Sequence, residues 1–334
     1  RQRAILDDLR QRALEQATDD GQAARHWAAL ARQADRYTRN LRPWTRGRAA
    51  QRIASDLAAY RAEVVALRDE AEGALDAAGD GARRRAERQL GLRLALIGKG
   101  GAGKTAISAT LARVLARQGR QVLAADLDTN PGAVFTLGLG LTEATLPEEA
   151  TAEHEGAAYG WNLASELSPR DVVERFTLPA PDGVRYIGVG KIGDPEKQEA
   201  KRTLVALLQV LIGFGDPDWD VIGDLEAGPT TPFERYHSFA DDVFVVVGPA
   251  WRSALTARRL RPMVDDVALS VVANRFRDEP DHPGLEPRFR VPYCPELAEA
   301  ERLGLAPLDY CPDSPAVRAI EEMARLIIAE EVPV

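Results

Sequence analysis

Cysteine is scarce in this chain of 334 residues, which contains only Cys294 and Cys311. The two lie in different sequence contexts, so the sequence supports neither a disulfide framework nor a CxxC metal site. This scarcity is typical of a protein in a reducing compartment, and we expect a cytoplasmic location. The four histidines are scattered and form no metal-ligating cluster, at His26, His154, His237 and His282.

Long apolar runs are also absent. No uninterrupted stretch approaches the roughly 20 residues that a membrane-spanning helix requires, and the first residues do not resemble a signal peptide. The hydrophobic content of 45% is nevertheless enough for a sizeable core, and the length allows more than one domain. We therefore expect a soluble globular protein. Residue 1 is arginine rather than methionine, which indicates a fragment or a processed chain.

Lysine is missing from residues 1–92, which contain 18 Arg and 14 acidic residues, a balance of +4. The remaining 25 basic and 37 acidic residues give −12, and the whole chain carries −8. With this excess of negative charge, general binding to nucleic acid or to an anionic membrane is not expected. A local basic face on the first segment remains compatible with the sequence.

Helical periodicity dominates the first 90 residues. Apolar residues from Ile53 to Ala78 recur at alternating steps of four and three positions, as a coiled-coil seam requires. Two shorter helical patterns precede this one, in residues 5–13 and 27–41. The sequence predicts an antiparallel, coiled-coil-like helical domain over residues 1–90. Its seam either packs against a helix of its own hairpin or docks a partner protein.

The stretch GLRLALIGKGGAGKTA, residues 91–106, changes abruptly from apolar residues to glycine and lysine. It predicts a buried strand, a glycine-rich loop and a helix, an order that turns backbone N–H groups toward phosphate oxygens. Its loop matches GxxxxGK[ST], in which Lys104 contacts the β- and γ-phosphates and the Thr105 hydroxyl is a ligand of Mg²⁺. The residues predicted to contact the nucleotide here are Gly98, Gly100, Gly101, Ala102, Gly103, Lys104, Thr105 and Ala106.

Two later strands are predicted to end in carboxylates. RQVLAADLDTNPG, which starts at residue 120, brings Asp126 and Asp128 to the carboxyl end of a strand, where doubly wound sheets bind ligands. DWDVIGDLEAGPTTP, which starts at residue 218, ends a strand at Asp224, a position suited to water-mediated Mg²⁺ binding. Glu226 and Gly228 follow in a predicted switch segment. The alternative is that Asp126 and Asp128 only cap a turn or a helix.

Strands and helices continue to alternate through DDVFVVVGPAWRSALTARRL and LSVVANRF. Such alternation predicts a parallel sheet with helices on its faces. The fold class expected for residues 91–334 is therefore α/β, a doubly wound and mostly parallel P-loop NTPase domain, preceded by the helical domain.

Lys99 adds a second lysine that a phosphate loop does not need. KGGAGKT, residues 99–105, resembles the deviant Walker A motif KGGxGKT of the MinD, ParA, nitrogenase iron protein and arsenite-pump ATPases. In that superfamily two nucleotide-loaded subunits face each other and the extra lysine reaches the partner's phosphates. The resemblance implies an ATP-dependent homodimer with Lys99, Lys104 and Asp128 as catalytic residues, Asp128 positioning the attacking water. It also implies a place for Asp126 in the outer shell of Mg²⁺.

Other segments resemble the CooC-type ATPases, which assist nickel insertion into carbon monoxide dehydrogenase. The likeness covers roughly residues 92–330, and its segments are DLEAG (224–228), VVVGPAWRSALTARR (245–259), GVGKIG (188–193) and VPYCPELAEAERLGLAPL (291–308). It implies that Asn274, in VVANRF, recognises adenine; the alternative is an asparagine that merely ends a strand. The CxC metal pair that follows GKI in that family has no counterpart after Ile192, so we expect no nickel or zinc site.

The sequence therefore predicts an Mg²⁺-dependent ATPase switch that dimerises on ATP and acts on a client protein, for example in assembly or maturation. The alternative is a spatial-organisation ATPase of the ParA or MinD kind. The acidic balance of the ATPase segment counts against DNA binding, and the acidic polar face of the last helix counts against membrane binding. A sensor that binds nucleotide without hydrolysing it is a third possibility.

Overall fold

The computed structural model describes residues 91–128, 132–140, 146–154, 161–189, 197–216, 218–226, 236–264, 267–277 and 281–331. Almost all of them belong to one compact unit, which comprises residues 92–211 and 219–332. The predicted helical domain 1–90 lies outside the described residues, and its hairpin therefore stays a prediction.

The described residues form ten strands, which are β1 Arg93–Gly98, β2 Gln121–Leu127, β3 Thr151–Glu153, β4 Trp161–Leu163, β5 Leu178–Pro179, β6 Arg185–Gly188, β7 Trp219–Leu225, β8 Asp242–Val247, β9 Ala268–Phe276 and β10 Phe289–Pro292. Eight of them make one sheet in the order β10-β9-β8-β1-β7-β2-β6-β5. Its neighbours run parallel, except that β5 pairs antiparallel with β6. The remaining two, β3 and β4, pair antiparallel with each other.

The helices among the described residues are α1 Lys104–Arg117, α2 Ala133–Leu137, α3 Pro169–Phe176, α4 Lys197–Gly213, α5 Trp251–Leu260, α6 Pro295–Leu303, α7 Pro307–Tyr310 and α8 Pro315–Glu331. Short 3₁₀ turns lie at Glu148–Ala150, Pro181–Gly183 and Arg261–Met263. Helices and parallel strands alternate through most of the unit, so the predicted α/β, mostly parallel fold is confirmed.

Burial explains why the central strands are almost purely apolar. Every residue of β1 is buried, as are all but the first residues of β7 and β8. A parallel sheet is covered on both faces, so its inner strands read as continuous apolar runs rather than as an alternating pattern. Helix α1 is buried from Ala106 to Leu115 and packs against β2 and against α8. This packing places the start of α1 above the middle of the sheet.

No helix of the described ranges combines the length and apolar character needed to cross a membrane.

Candidate functional site

The glycine-rich loop joins the end of β1 to the start of α1, and two of its glycines are required by close packing. A Cβ atom on Gly98 would lie 2.6 Å from the carbonyl oxygen of Val246 in β8. Gly103 has a φ of 92°, and a Cβ there would lie 2.2 Å from Nδ2 of Asn274. Any side chain at either position would force the loop away from the sheet.

The predicted phosphate-binding side chains lie together at the N-terminus of α1. Lys104 and Thr105 are its first residues, and Ala106 follows as a buried packing residue. Lys104 is only 6% exposed. A buried ammonium group at the N-terminus of a helix creates a strongly positive site for an anion.

Two carboxylates lie beside this positive site on adjacent strands. Asp126 of β2 is in register with Asp224 of β7. The Thr105 hydroxyl donates a hydrogen bond of 2.5 Å to Oδ2 of Asp224, while Oδ1 of Asp224 is buried and has no partner within the described residues. Thr105 and Asp224 are thus in contact, and Asp126 lies beside Asp224 on the neighbouring strand.

Asp126 is held by the chain that follows it. Its carboxylate accepts backbone N–H bonds from Asp128 at 3.1 Å, Gly132 at 3.1 Å and Ala133 at 3.0 Å. These bonds tie the backbone of Asp128, Gly132 and Ala133 to the carboxylate, so Asp126 organises local backbone as well as pairing in register with Asp224. The turn-capping alternative therefore describes part of what Asp126 does.

Burial raises the pKa of both carboxylates above the usual aspartate range. For Asp224 the negative charge of Asp126 raises the pKa further, while Lys104 and the Thr105 hydroxyl lower it. For Asp126 the backbone hydrogen bonds of Ala133 and Asp128 partly offset the burial. Two buried carboxylates with one lysine are therefore electrostatically incomplete, and a divalent cation would stabilise their charged forms.

The oxygen atoms present fit Mg²⁺. Mg²⁺ is typically held by one or two protein oxygens together with substrate phosphates and water, rather than by a complete protein cage. Thr105 Oγ1 and the unpartnered Oδ1 of Asp224 are oxygens of this kind. No group of three or more His, Cys, Asp and Glu in the described ranges is arranged to hold a metal by itself.

The two remaining predicted catalytic residues lie at the rim. Asp128 follows β2 directly and is partly buried. Among the described residues, the Lys99 ammonium donates to the carbonyl oxygen of the adjacent Gly100 at 3.3 Å, and this hydrogen bond is exposed to solvent. The predicted switch residue Glu226 is described at the end of β7, whereas Gly228 lies outside the described residues.

Asn274 is buried at the carboxyl end of β9, and its amide contacts the loop. Nδ2 donates to the carbonyl oxygen of Ala102 at 2.7 Å, and the amide oxygen has no partner among the described residues. The neighbouring Arg275 also reaches the loop, with Nη1 3.1 Å from the carbonyl oxygen of Gly101. Sequence reasoning missed Arg275, because alternation along a strand places neighbouring side chains on opposite faces.

Neither cysteine lies in this site. The Cys294 thiol is buried and donates to a carboxylate oxygen of Glu296 at 3.0 Å. Cys311, partly buried after α7, has a raised pKa, chiefly because of burial. Both lie in the C-terminal part of the chain, and Cys294 follows β10, which is at the opposite side of β1 from β7 and β2 in the strand order.

A glycine loop between a central parallel strand and a helix, beside two strand-end carboxylates, defines a P-loop nucleotide-binding protein. Residues 94–308 match the family described as the CobQ/CobB/MinD/ParA nucleotide binding domain. The match spans more than half of the chain, and the protein belongs to this family.

Known relatives agree with this membership. An uncharacterised ATP-binding protein of Methanocaldococcus jannaschii is 29% identical over 259 residues, which cover 71% of this chain and 98% of that protein. The septum site-determining protein MinD of Pyrococcus horikoshii, solved with Mg-ADP, superposes with a TM-score of 0.55 at 18% identity, over 71% of this chain and 96% of that one. A ParA family ATPase from Chlorobium tepidum gives 0.54 at 17% identity, over 70% and 98%. The two structural matches show a shared fold.

Proposed function

We propose that this protein is a Mg²⁺-dependent ATPase that switches between monomer and dimer and acts on a partner protein. The observation that carries the proposal is the contact between the Thr105 hydroxyl and Asp224, beside the buried Lys104. These three residues are the helix hydroxyl, strand-end carboxylate and lysine that P-loop NTPases use for Mg²⁺ and phosphate.

Each residue of the site is proposed to have a separate role. Lys104 and the loop N–H groups would bind and orient the phosphates, and Thr105 and Asp224 would hold Mg²⁺. When bound, Mg²⁺ neutralises charge on the β- and γ-phosphates. Asp128, partly buried at the rim, would orient the attacking water, and Asp126 would support the metal's outer shell while fixing the turn that carries Asp128.

Asn274 supports adenine as the base. Its amide is oriented by the bond from Nδ2 to the Ala102 carbonyl, which leaves the amide oxygen as the free acceptor. The exocyclic amine of adenine is a donor, whereas guanine carries a carbonyl oxygen at the same position. We therefore infer a preference for ATP over GTP, and the likeness to an ATP-binding protein of Methanocaldococcus jannaschii agrees with it.

The partner is proposed as a client protein, as in the CooC-type ATPases that the sequence resembles. Because no CxC pair follows Ile192, nickel is not proposed as its cargo, and assembly or maturation of the client is the proposed role. The predicted helical domain 1–90 is the proposed place of contact.

A second candidate is a spatial-organisation ATPase of the ParA or MinD kind. The observation that favours it is the match of residues 94–308 to the family described as the CobQ/CobB/MinD/ParA nucleotide binding domain. The two candidates differ in what the ATP-bound form binds: a single client in the first, and DNA, a membrane or a cell-division partner in the second.

Hydrolysis and partner binding can be tested together with Asp128→Ala. Since Asp128 is proposed to act on water, the variant should retain ATP affinity and lose turnover by about 100-fold or more. Asp313→Ala removes an exposed carboxylate outside the site and serves as the matched control.

The ATP-loaded Asp128→Ala protein should then retain a client longer than the unmodified chain does. Retention of DNA or anionic vesicles instead would favour the second candidate. Equal loss of ATP binding and turnover would remove Asp128 from its proposed role.

A further inference from the structure

The backbone carbonyl groups of a phosphate-binding loop need hydrogen-bond donors of their own. The loop must turn its N–H groups toward the phosphates, so its carbonyl oxygens point away and need other donors. A loop whose carbonyls lack donors would be free to flip peptide planes and lose the binding geometry. The donors therefore determine whether the loop is ready before a nucleotide arrives.

Each of the five carbonyls between Lys99 and Gly103 has a donor. Three donors come from the loop itself or from the first turn of α1: the Lys99 carbonyl accepts from Ala102 N at 3.0 Å, Gly100 from the Lys99 ammonium at 3.3 Å, and Gly103 from Ile107 N at 3.2 Å. The other two come from the end of β9, where Arg275 serves the Gly101 carbonyl and Asn274 serves that of Ala102.

A local irregularity in β9 lets two consecutive side chains reach one loop. Val291 of β10 pairs with Asn274, but the next residue, Pro292, pairs with Phe276, so Arg275 is an extra residue in the ladder. Arg275 has a φ of 63°, in the left-handed region that residues other than glycine rarely adopt. This bulge turns the Arg275 side chain toward the loop.

Glu301 of α6 fixes the far side of the same guanidinium. Nη2 of Arg275 donates to both carboxylate oxygens of Glu301, at 3.0 and 2.7 Å, while Nη1 donates to Gly101. Both side chains are about one third exposed. Arg275 thus links the loop to α6. Its backbone is strained, and its side chain makes three polar contacts that offset this strain.

We propose that Arg275, oriented by Glu301, is a positioning residue that holds the phosphate loop in its binding geometry in the absence of nucleotide. This role rests on the proposed nucleotide-binding function and adds a residue and a helix to it. Because Arg275 contacts a carbonyl on the outside of the loop, it governs how readily phosphates are accepted. It does not touch the reacting atoms, so turnover of bound ATP depends on it much less.

The test uses Arg275→Gly in the full chain. Glycine adopts a φ of 63° without strain, so the variant keeps the bulge and loses only the side chain. We expect the dissociation constants of ADP and ATP, measured with fluorescent analogues, to rise about tenfold. The turnover number at saturating ATP should stay within about threefold of the unmodified value.

Two further variants separate positioning from simple structural support. Glu301→Ala should weaken nucleotide binding in the same direction but less, and adding it to Arg275→Gly should have little extra effect, because the two residues act as one unit. Arg302→Ala is the matched control: it removes an exposed arginine paired with Glu299 on the same helix, and it should leave nucleotide affinity unchanged.

Hydrogen exchange without nucleotide tests the same idea independently of ATP. Arg275→Gly should speed exchange of the amides in residues 100–105, and Arg302→Ala should not. Unchanged exchange and unchanged nucleotide affinity in Arg275→Gly would overturn the proposal. If the unmodified chain binds neither ADP nor ATP, the proposed function fails. Faster exchange of the loop amides in Arg275→Gly than in the unmodified chain would then still show that Arg275 holds the loop.

Discussion

At the level of single residues, Lys104 is the most consequential side chain of the site. Its ammonium group is buried next to Asp224 and would face the phosphates. Removing a buried partner of this kind costs about 2–5 kcal/mol, because the remaining charges stay unpaired. We therefore expect Lys104→Ala to weaken ATP binding by about 100-fold, measured by calorimetry or by displacement of a fluorescent analogue.

The control is the fold itself. Lys104→Ala should keep the circular dichroism spectrum of the unmodified protein, since α1 is held by the buried residues that follow Lys104. A variant that binds ATP with unchanged affinity would contradict the assignment of the loop as the phosphate site.

Residue identities in the loop and at the strand ends were predictable, because each motif position corresponds to a chemical requirement. Gly98, Lys104 and Thr105 were predicted from the spacing of the loop motif, and Asp224 from its place at the end of an apolar strand. Arg275 could not, since its role depends on an extra residue in the β9 ladder, and that irregularity leaves no mark in an apolar strand pattern. Glu301 lies 26 positions further along, with no sequence signal to link it to the loop.

At the level of elements, α1 is fixed at both ends. Near its C-terminal end, Arg113 is 2% exposed and donates from Nε to Asp182 at 2.6 Å and to both oxygens of Asp309 at 2.7 and 2.8 Å. Asp182 lies in the 3₁₀ turn after β5, and Asp309 lies in α7. A single guanidinium thus ties three elements together behind the site.

Arg113→Ala should destabilise the fold. Breaking a fully buried pair costs about 3–5 kcal/mol, but Asp309 is 54% exposed and can be resolvated, so we expect a loss of about 2 kcal/mol in the free energy of unfolding. Chemical denaturation with nucleotide absent measures this loss directly.

Arg117→Ala is the matched comparison one helical turn later. Arg117 contacts the same Asp182 at 3.0 Å but is 41% exposed, so its removal should cost less than about 1 kcal/mol. Equal effects of the two substitutions would show that burial of Arg113 contributes nothing.

Element types followed from the sequence where the period was clear. The buried runs of β1, β7 and β8 and the helix after the loop were predicted close to their observed bounds. The hairpin of β3 and β4 was not predicted, because strands of three residues are too short to show alternation. Helix α1 starts at Lys104 because Gly103 has a left-handed backbone conformation. The loop motif indicates this start, whereas the apolar periodicity does not.

At the level of the whole molecule, Lys99 bears on the oligomeric state. Within the part of the chain that the structure describes, its ammonium makes one hydrogen bond, a solvent-exposed one to the adjacent Gly100 carbonyl, so a second subunit can reach it. If Lys99 binds phosphates across an interface, ATP and dimerisation must strengthen each other by the same factor. We expect Lys99→Ala to keep most of its ATP affinity as a monomer, since its contact with the Gly100 carbonyl is long and exposed, and to lose ATP-dependent dimerisation and turnover.

Analytical ultracentrifugation of the full chain, with ADP and with a nonhydrolysable ATP analogue, measures this change. Any self-association through residues 1–90 would be common to both nucleotides, so the difference between them isolates the ATP-dependent dimer. An unchanged difference in Lys99→Ala would leave the second lysine without a role across the interface.

The metal content of the purified protein is a further whole-molecule expectation. The Cys294 thiol is hydrogen-bonded to Glu296. The described ranges contain no group of three or more His, Cys, Asp and Glu that could hold a metal ion. We therefore expect no stoichiometric nickel or zinc by elemental analysis. One metal per dimer that disappears in Cys294→Ser or Cys311→Ser would restore metal handling to the proposed function.

The strand order also governs how the protein is made. β1 is the first strand of the sheet to leave the ribosome, yet its two neighbours, β7 and β8, are encoded more than 100 residues later. At about 5–20 residues per second, synthesis up to β8 takes roughly 8–30 s after β1 has appeared. Until β7 is complete, β1, which is buried along its whole length in the folded sheet, has neither of its two neighbours, and Asn274 and Arg275 are made later still. The nascent chain must therefore pass through its most aggregation-prone stage before nucleotide can bind and help to hold it folded.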